Sequence, residues 1–362
     1  MKYTPLYQEH LSLGAKLTPF AGWMMPVKYR EMRKEHLHVR SHIGIFDVSH
    51  MGCIYVEGVE ALKYVNYIGT AIVSNELGRV TYSVITNSQG KAVDDVLIYT
   101  LDKDCFLLVV NAGNREKDWE HLTALSTLFS VRLSHTYSKE GIIALQGPNS
   151  LELIKKLFPQ VATLSPMHCT SVCWMGASLL ISRTGYTGEK GVEMILPYEN
   201  ILSLWRLLIE QGGEVWPIGL AARDTLRLEK GFVLYGNELS EKISPVESVA
   251  AWTLSSKKGD FLGKEAIESI AISQKREWQY PVVLEAKGVP REGYPIFSST
   301  KEEIGRVTSG TFSPCLEKGI ALIQVQKELE VTNTVYIGIR GRHIKGRIVA
   351  LPFVKRGTHL QT

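Results

Sequence analysis

The chain predicts an α+β protein of more than one domain, closed by an all-β module. Three observations lead there. Its 362 residues exceed what one ordinary core organises. Apolar strands and amphipathic helices alternate as far as residue 275. From Tyr280 onward only short strands follow, separated by Gly and Pro turns and without helical period.

Composition narrows the function classes. Hydrophobic content of 44% and charged content of 22% belong to a globular protein. A net charge of +4 is too small to argue for nucleic acid. No run approaches eighteen apolar residues, so no membrane helix is expected. Met1-Lys2-Tyr3-Thr4-Pro5 resembles neither a signal nor a transit peptide, and a cytoplasmic location is expected. Cys53, Cys105, Cys169, Cys173 and Cys315 are dispersed and read as reduced thiols. The ten His residues form no ligand pattern, so no metal is expected. Neither GxGxxG nor GxxxxGK[ST] occurs, which argues against a nucleotide or flavin.

In chain order, a short helix spans 5–13 and stops at Gly14. Residues 20–29 are dense in aromatics and Met, with Gly and Pro breaks, and read as a core-packing loop, the alternative being a wall of a flat, apolar ligand site. A charged helix covers 32–41. A strand at 43–47 exits through Ser49 and His50, the latter read as a hydrogen-bonded structural His. A strand at 53–57, a helix at 59–68 and a hairpin at 79–99 follow, with Asn87-Ser88-Gln89-Gly90 as the turn. The second hairpin strand opens on two carboxylates. Alternation puts Asp94 with Val96 and Ile98, and Asp95 with Val93 and Leu97. At least one carboxylate therefore heads an apolar face and needs a donor, a ligand or an open strand end.

A strand at 106–110, a helix at 115–128 and a strand at 130–134 complete this α+β layer. Asn111-Ala112-Gly113-Asn114 supplies the cap between the first two. A strand at 142–146 enters the helix at 150–157. After the strand at 179–182, Gly185, Gly188 and Gly191 would let backbone approach a ligand closely. Glu193 then heads the strand ending at Leu196. Gly219 to Gly231 reads as one helix, with Arg223 and Arg227 four apart on one face. That face is either solvated or turns one Arg toward Glu193 or an anion. The β module holds strands at 281–286, 293–297, 304–308, 319–323, 333–340 and 343–350.

Several landmarks together resemble one family. They are Gly22-Trp23-Met24-Met25-Pro26, Phe46-Asp47-Val48-Ser49-His50-Met51, Val93-Asp94-Asp95, Asn114-Arg115-Glu116-Lys117-Asp118, Leu145-Gln146-Gly147-Pro148-Asn149, Thr184-Gly185-Tyr186-Thr187-Gly188-Glu189, the segment 219–229, Tyr235-Gly236-Asn237-Glu238 and the segment 307–314. In this order, over nearly the whole chain, they resemble the glycine cleavage system T-protein family. One departure is Gln89-Gly90-Lys91-Ala92, where the family often carries a Gly pair.

The resemblance implies three domains in a cloverleaf around a central folate channel. These would be a discontinuous domain of 1–52 plus 136–275, an α+β (ferredoxin-like) domain of 53–135, and a barrel-like module of 276–362. It implies a tetrahydrofolate-dependent aminomethyltransferase that takes its one-carbon unit from the lipoylated H protein. Asp94 would be the catalytic carboxylate at N5 and N10, Glu193 would clamp the pterin, and Arg223 would contact the folate. Met51, Tyr82, Asn111, Tyr186, Tyr235, Trp252 and Arg291 would line the channel. Two other readings compete. Demethylating oxidases carry a similar module beside a flavin domain, for which no fingerprint exists here. Non-enzymatic folate-binding relatives in RNA modification or iron–sulfur maintenance carry a Lys-Gly-Cys-x-x-Arg-like signature, which is absent.

Overall fold

Two antiparallel-rich sheets and a barrel carry the chain in the computed structural model, which describes residues 1–211, 214–331 and 333–355. The last seven residues of the module expected over 276–362 lie outside it. The first sheet has five strands in the order Val80–Thr86, Ala92–Asp102, Cys105–Val110, Gly52–Glu57 and Arg132–His135. All its pairings are antiparallel. Helices Ala61–Ile68 and Arg115–Ser126 cover one face, where Val96, Ile98, Leu108 and Val110 pack with Tyr64, Val65 and Leu122.

The second sheet has six strands, ordered Cys169–Trp174, Ala177–Ser182, Gly191–Pro197, Glu140–Gln146, Ile43–Asp47 and Val215–Pro217. Only the Val215–Pro217 strand runs parallel to its neighbour. Its outer face carries helices Ser150–Leu157 and Tyr198–Glu210. The latter goes beyond the sequence reading: Ile201, Leu204, Trp205 and Leu208 form its buried stripe at helical spacing. The inner face meets the first sheet. Phe46, Ile142, Ala144 and Ile195 pack there with Val80, Tyr99, Leu107 and Val109.

Six strands close the barrel: Trp278–Leu284, Lys318–Val325, Glu303–Ser313, Pro295–Phe297, Thr334–Ile339 and Arg342–Ile348, the last returning to the first. Alternate residues fill its interior, among them Val282, Leu284, Val307, Ile323 and Ile337.

One sequence expectation is corrected. Residues 20–29 are not a loop, because Lys16–Phe20 and Trp23–Lys28 form a hairpin. Its two-residue turn puts Ala21 and Gly22 at φ 48 and 81, as a primed turn requires. The Gly break that reads as loop is this turn. Trp23 and Met25 are buried, so the aromatic and Met content does pack.

The helix Leu220–Lys230 joins all the parts. Gly231 follows it at φ 75, in the left-handed cap. Leu228 packs against Ile320, Leu322 and Phe353 at the barrel. Glu229 is fully buried and accepts from Arg40 Nη2 at 2.8 Å, Ser313 Oγ at 2.5 Å and the Cys315 amide at 3.2 Å. His36 Nε2 lies 3.1 Å from the same carboxylate. Among the described residues, no helix is long and apolar enough to cross a membrane.

Candidate active site

A cavity of about 700 Å³ opens where the two sheets, the Leu220–Lys230 helix and the barrel meet. This is the size of a cofactor or drug-sized ligand site. Its carboxylates are Asp95, Glu193, Asp224 and Glu292, and its guanidinium groups belong to Arg223, Arg227 and Arg291.

The paired aspartates separate by strand parity. Asp94 points with Val96 and Ile98 toward the helix layer and is fully enclosed. Its Oδ1 accepts from Asn111 Nδ2 at 2.9 Å and Asn114 Nδ2 at 2.5 Å, and its Oδ2 from the Asn111 amide at 2.9 Å. Asp94 is not among the residues of the cavity wall. The carboxylate that does line it is Asp95, which has the parity of Leu97 and Tyr99 and lines the cavity with them. Tyr82 donates to Asp95 Oδ2 at 3.0 Å and Asn111 Nδ2 to Oδ1 at 3.0 Å. Burial, and then the charge on Asp94, raise Asp95 to about 7.

Glu193 lies across the second sheet's mouth. Thr184 Oγ1 donates to its Oε2 at 2.5 Å, and Thr184 is held in turn by Ser182 at 2.7 Å. Among the described residues, no group bonds Oε1. Arg223 faces the same space, with its guanidinium 4.8 Å from the Tyr186 ring centroid. Its Nη1 is buried without a partner, and no salt bridge joins it to Glu193 among the described residues. Burial lowers its pKa, while the charge of Glu193 acts in the opposite sense. Arg227, four residues on, reaches the same cavity, but its nitrogens are taken up by protein groups. Asp224 holds it at 2.9 Å, Ser309 of the barrel at 2.9 Å, and Glu238 at 3.3 Å. Of the two Arg readings, Arg223 faces the site and Arg227 fixes the helix to the barrel.

Tyr82, Tyr186 and Tyr235 supply flat walls, each with its hydroxyl tied back to protein: Tyr82 to Asp95, Tyr186 to the Val233 carbonyl, Tyr235 to the Ala92 carbonyl at 3.2 Å. Met51, Asn111 and Arg291 line the cavity as well. Trp252 is not on the wall. It is 59% exposed and stacks on Tyr82, with ring centroids 5.4 Å apart, so it backs a wall residue instead of forming the wall. His50, read from sequence as structural, lines the cavity beside Phe20. Burial, and the nearby Arg223 and Arg115, bring it down to about 4 against the opposing charge of Asp47, so it is neutral at pH 7. Only its neighbours in three dimensions place it there, and no local motif signals this.

Two of the glycines after Ser182 have a use beyond the one expected. A Cβ on Gly185 or Gly191 would come within 2.0 or 2.4 Å of the Gln146 side chain. Gln146 Nε2 donates to the carbonyls of Thr184 and Val192 at 3.1 and 3.2 Å. Thr187 Oγ1 donates to its Oε1 at 2.8 Å. The glycines make room for a clamp that holds the loop carrying Tyr186 and the strand carrying Glu193. Gly185 lines the cavity besides.

His36, Glu229 and Cys315 place potential ligand atoms within 4.8 Å of one another. Glu229 Oε2 already takes two hydrogen bonds from Arg40, at 2.8 and 3.1 Å, so a cation occupies that position. None of the three lines the cavity.

Residues 6–258 match the family model described as the GCVT N-terminal domain. Residues 281–355 match that of the glycine cleavage T-protein C-terminal barrel domain. The chain is 41% identical to an aminomethyltransferase of Chlorobium luteolum, over 98% of this chain and 99% of the relative. It is also 41% identical to one of Symbiobacterium thermophilum, over 98% of each. In three dimensions it is similar to the glycine cleavage system aminomethyltransferase T of Bartonella henselae, with a TM-score of 0.91, 32% identity and 98% coverage of both chains.

Proposed function

Because the chain belongs to the glycine cleavage T-protein family and is an aminomethyltransferase, we propose that its central cavity binds tetrahydrofolate and receives the aminomethyl-dihydrolipoyl arm of the H protein. The observation that carries this reading is the pairing of unmet polar groups between flat aromatic walls. A pterin presents a ring N–H beside an exocyclic amine, and Glu193 has an unbonded oxygen to accept from them. Arg223 has a buried N–H without a partner, suited to the ring carbonyl. Tyr82, Tyr186 and Met51 flank the ring faces.

Asp95 is the carboxylate we assign to the reacting nitrogens. Transfer forms two C–N bonds and breaks the C–S and C–N bonds of the aminomethyl arm. The two N–H protons of tetrahydrofolate end on ammonia and on the freed thiol. With a value of about 7, Asp95 takes a proton from an attacking amine and returns it to a leaving one near neutral pH. Tyr82 and Asn111 hold its two oxygens in place for this.

Glu193→Gln tests the binding half. It keeps the size but turns one acceptor into a donor facing the pterin's own donors. Folate affinity falls by roughly 1–3 kcal/mol in a calorimetric titration. Unchanged affinity with an unchanged melting curve removes the clamp assignment.

A further inference from the structure

The helix Arg115–Ser126 carries a second enclosed carboxylate beneath the site. Asp118 is fully buried, and neither of its oxygens has a hydrogen-bond donor among the described residues. The adjacent cation does not serve it: Lys117 Nζ donates to the Val93 carbonyl at 2.7 Å and to Tyr235 at 2.6 Å. The group Asp118 does meet is Asp94, carboxyl to carboxyl. Two carboxylates in contact inside a protein share a proton, because both cannot be charged. Asp94 has three N–H donors and Asp118 has none, so the charge rests on Asp94 and the proton on Asp118.

That pair is wired to the cavity. Asn111 Nδ2 donates to Asp94 Oδ1 at 2.9 Å and to Asp95 Oδ1 at 3.0 Å, so one amide bridges the two aspartates. We propose that Asp118 is a positioning residue, whose carboxyl proton keeps Asp94 ionised and, through Asn111, sets the orientation and charge of Asp95 on the cavity wall.

Electrostatics agrees with the geometry. Burial first, then the charge and hydrogen bond of Asp94, push Asp118 up to about 11, against a downward pull from Lys117. Burial raises Asp94 too, while the hydrogen bonds from Asp118, Asn111 and Asn114 act against it. Asp95 also faces Tyr82 from the neighbouring strand, and Tyr186 and Tyr235 from the loops. Arg223 and Arg227 stand in the same cavity. None of these replaces Asp94 as the nearest charge that raises Asp95.

The test reads titration, not turnover. Carboxyl ¹³C NMR of the full-length protein, with Asp95 identified by its loss in Asp95→Asn, gives its midpoint directly. In Asp118→Leu, Asp94 loses its donor and takes up a proton, so the Asp95 midpoint falls by about one pH unit or more. Asp118→Asn keeps an N–H donor to Asp94 and holds the wild-type midpoint. An Asp95 midpoint unmoved in folded Asp118→Leu overturns the proposal. Should that variant fail to fold, the wild-type protein still decides. Its Asp118 carbon stays at the protonated position from pH 4 to 8, and an ionised Asp118 at pH 7 overturns the proposal. The inference rests on Asp95 being the cavity carboxylate that acts in transfer. Loss of that reading shows as a wild-type transfer rate in Asp95→Asn, which the titrations do not use.

Discussion

Asp95→Asn lowers the single-turnover rate of transfer from loaded H protein to tetrahydrofolate by roughly 10²–10⁴-fold, the scale of acid–base or electrostatic assistance. Tetrahydrofolate affinity changes much less, because the carboxylate acts on charge that develops in the transition state. The wild-type rate rises with pH through about 7, where Asp95 ionises, and the variant loses this limb. Stability moves the opposite way. The folded-state value lies above that of the unfolded chain, so the fold binds the proton more tightly and is favoured at low pH. That contribution is lost as pH rises from the ordinary aspartate range through about 7. At pH 8 the ionised Asp95 costs the fold on the order of 4 kcal/mol, which Asp95→Asn relieves. Urea melts at pH 5 and pH 8 should show the variant gaining on the wild type at the higher pH. Asp94→Asn behaves differently. It sets an amide against the donors of Asn111 and Asn114 and costs stability by about 1–3 kcal/mol. A wild-type rate in folded Asp95→Asn would remove this residue from the mechanism.

Glu229→Gln destabilises the protein by roughly 3–5 kcal/mol, the scale of breaking a buried ion pair from one side. Burial opposes the charge on Glu229. The hydrogen bond and charge of His36, then Arg40 and Ser313, outweigh it and hold the group at about 2. A depressed value means stability present above the unfolded glutamate range and lost as pH falls through the folded one. The gap between wild type and variant is therefore full above pH 5 and closes as the pH falls from about 4.3 toward 2. Equilibrium urea unfolding across that range checks it. A gap that persists at pH 2 shows that packing and not charge holds the junction.

Much of this was readable from residue order. The six barrel strands announce themselves through Gly and Pro turns between apolar runs, because local turn chemistry determines them. The helix at Leu220–Lys230 is bounded by Gly219 and Gly231 in the same way. Glu193 and Arg223 reach the cavity by alternation and by helical spacing, both local. The choice between Asp94 and Asp95 turned on which strand face the helices cover, a tertiary fact. Parity alone left both faces apolar: Asp94 goes with Val96 and Ile98 under the helices, but Asp95 shares its parity with Val93, also in that cluster, as well as with Leu97 and Tyr99 at the cavity. Trp252 illustrates the other limit. A tryptophan near a site in sequence order says nothing about whether it forms the wall or stands behind it. The glycines at 185 and 191 serve Gln146, forty residues away, which no local pattern could reveal.

The cavity wall draws on Phe20, on Asp95 and Tyr99, on Tyr186 and Glu193, and on Arg291 and Gly310. A chain emerging from the ribosome exposes Asp95 long before it delivers Gly310, an interval on the order of ten to forty seconds at ordinary synthesis rates. Early in that interval the inner face of the five-stranded sheet, with Leu97, Tyr99 and Val109, waits for Ile142, Ile195 and Leu226, and the cavity then still lacks its barrel side. The nascent protein thus holds secondary structure well ahead of any binding competence, and its long-range contacts make the last stage of assembly the slow one. A chain that stops ahead of Arg291 lacks Arg291, Ser309 and Gly310 of the cavity wall, so substrate has no complete site through which to stabilise it by mass action.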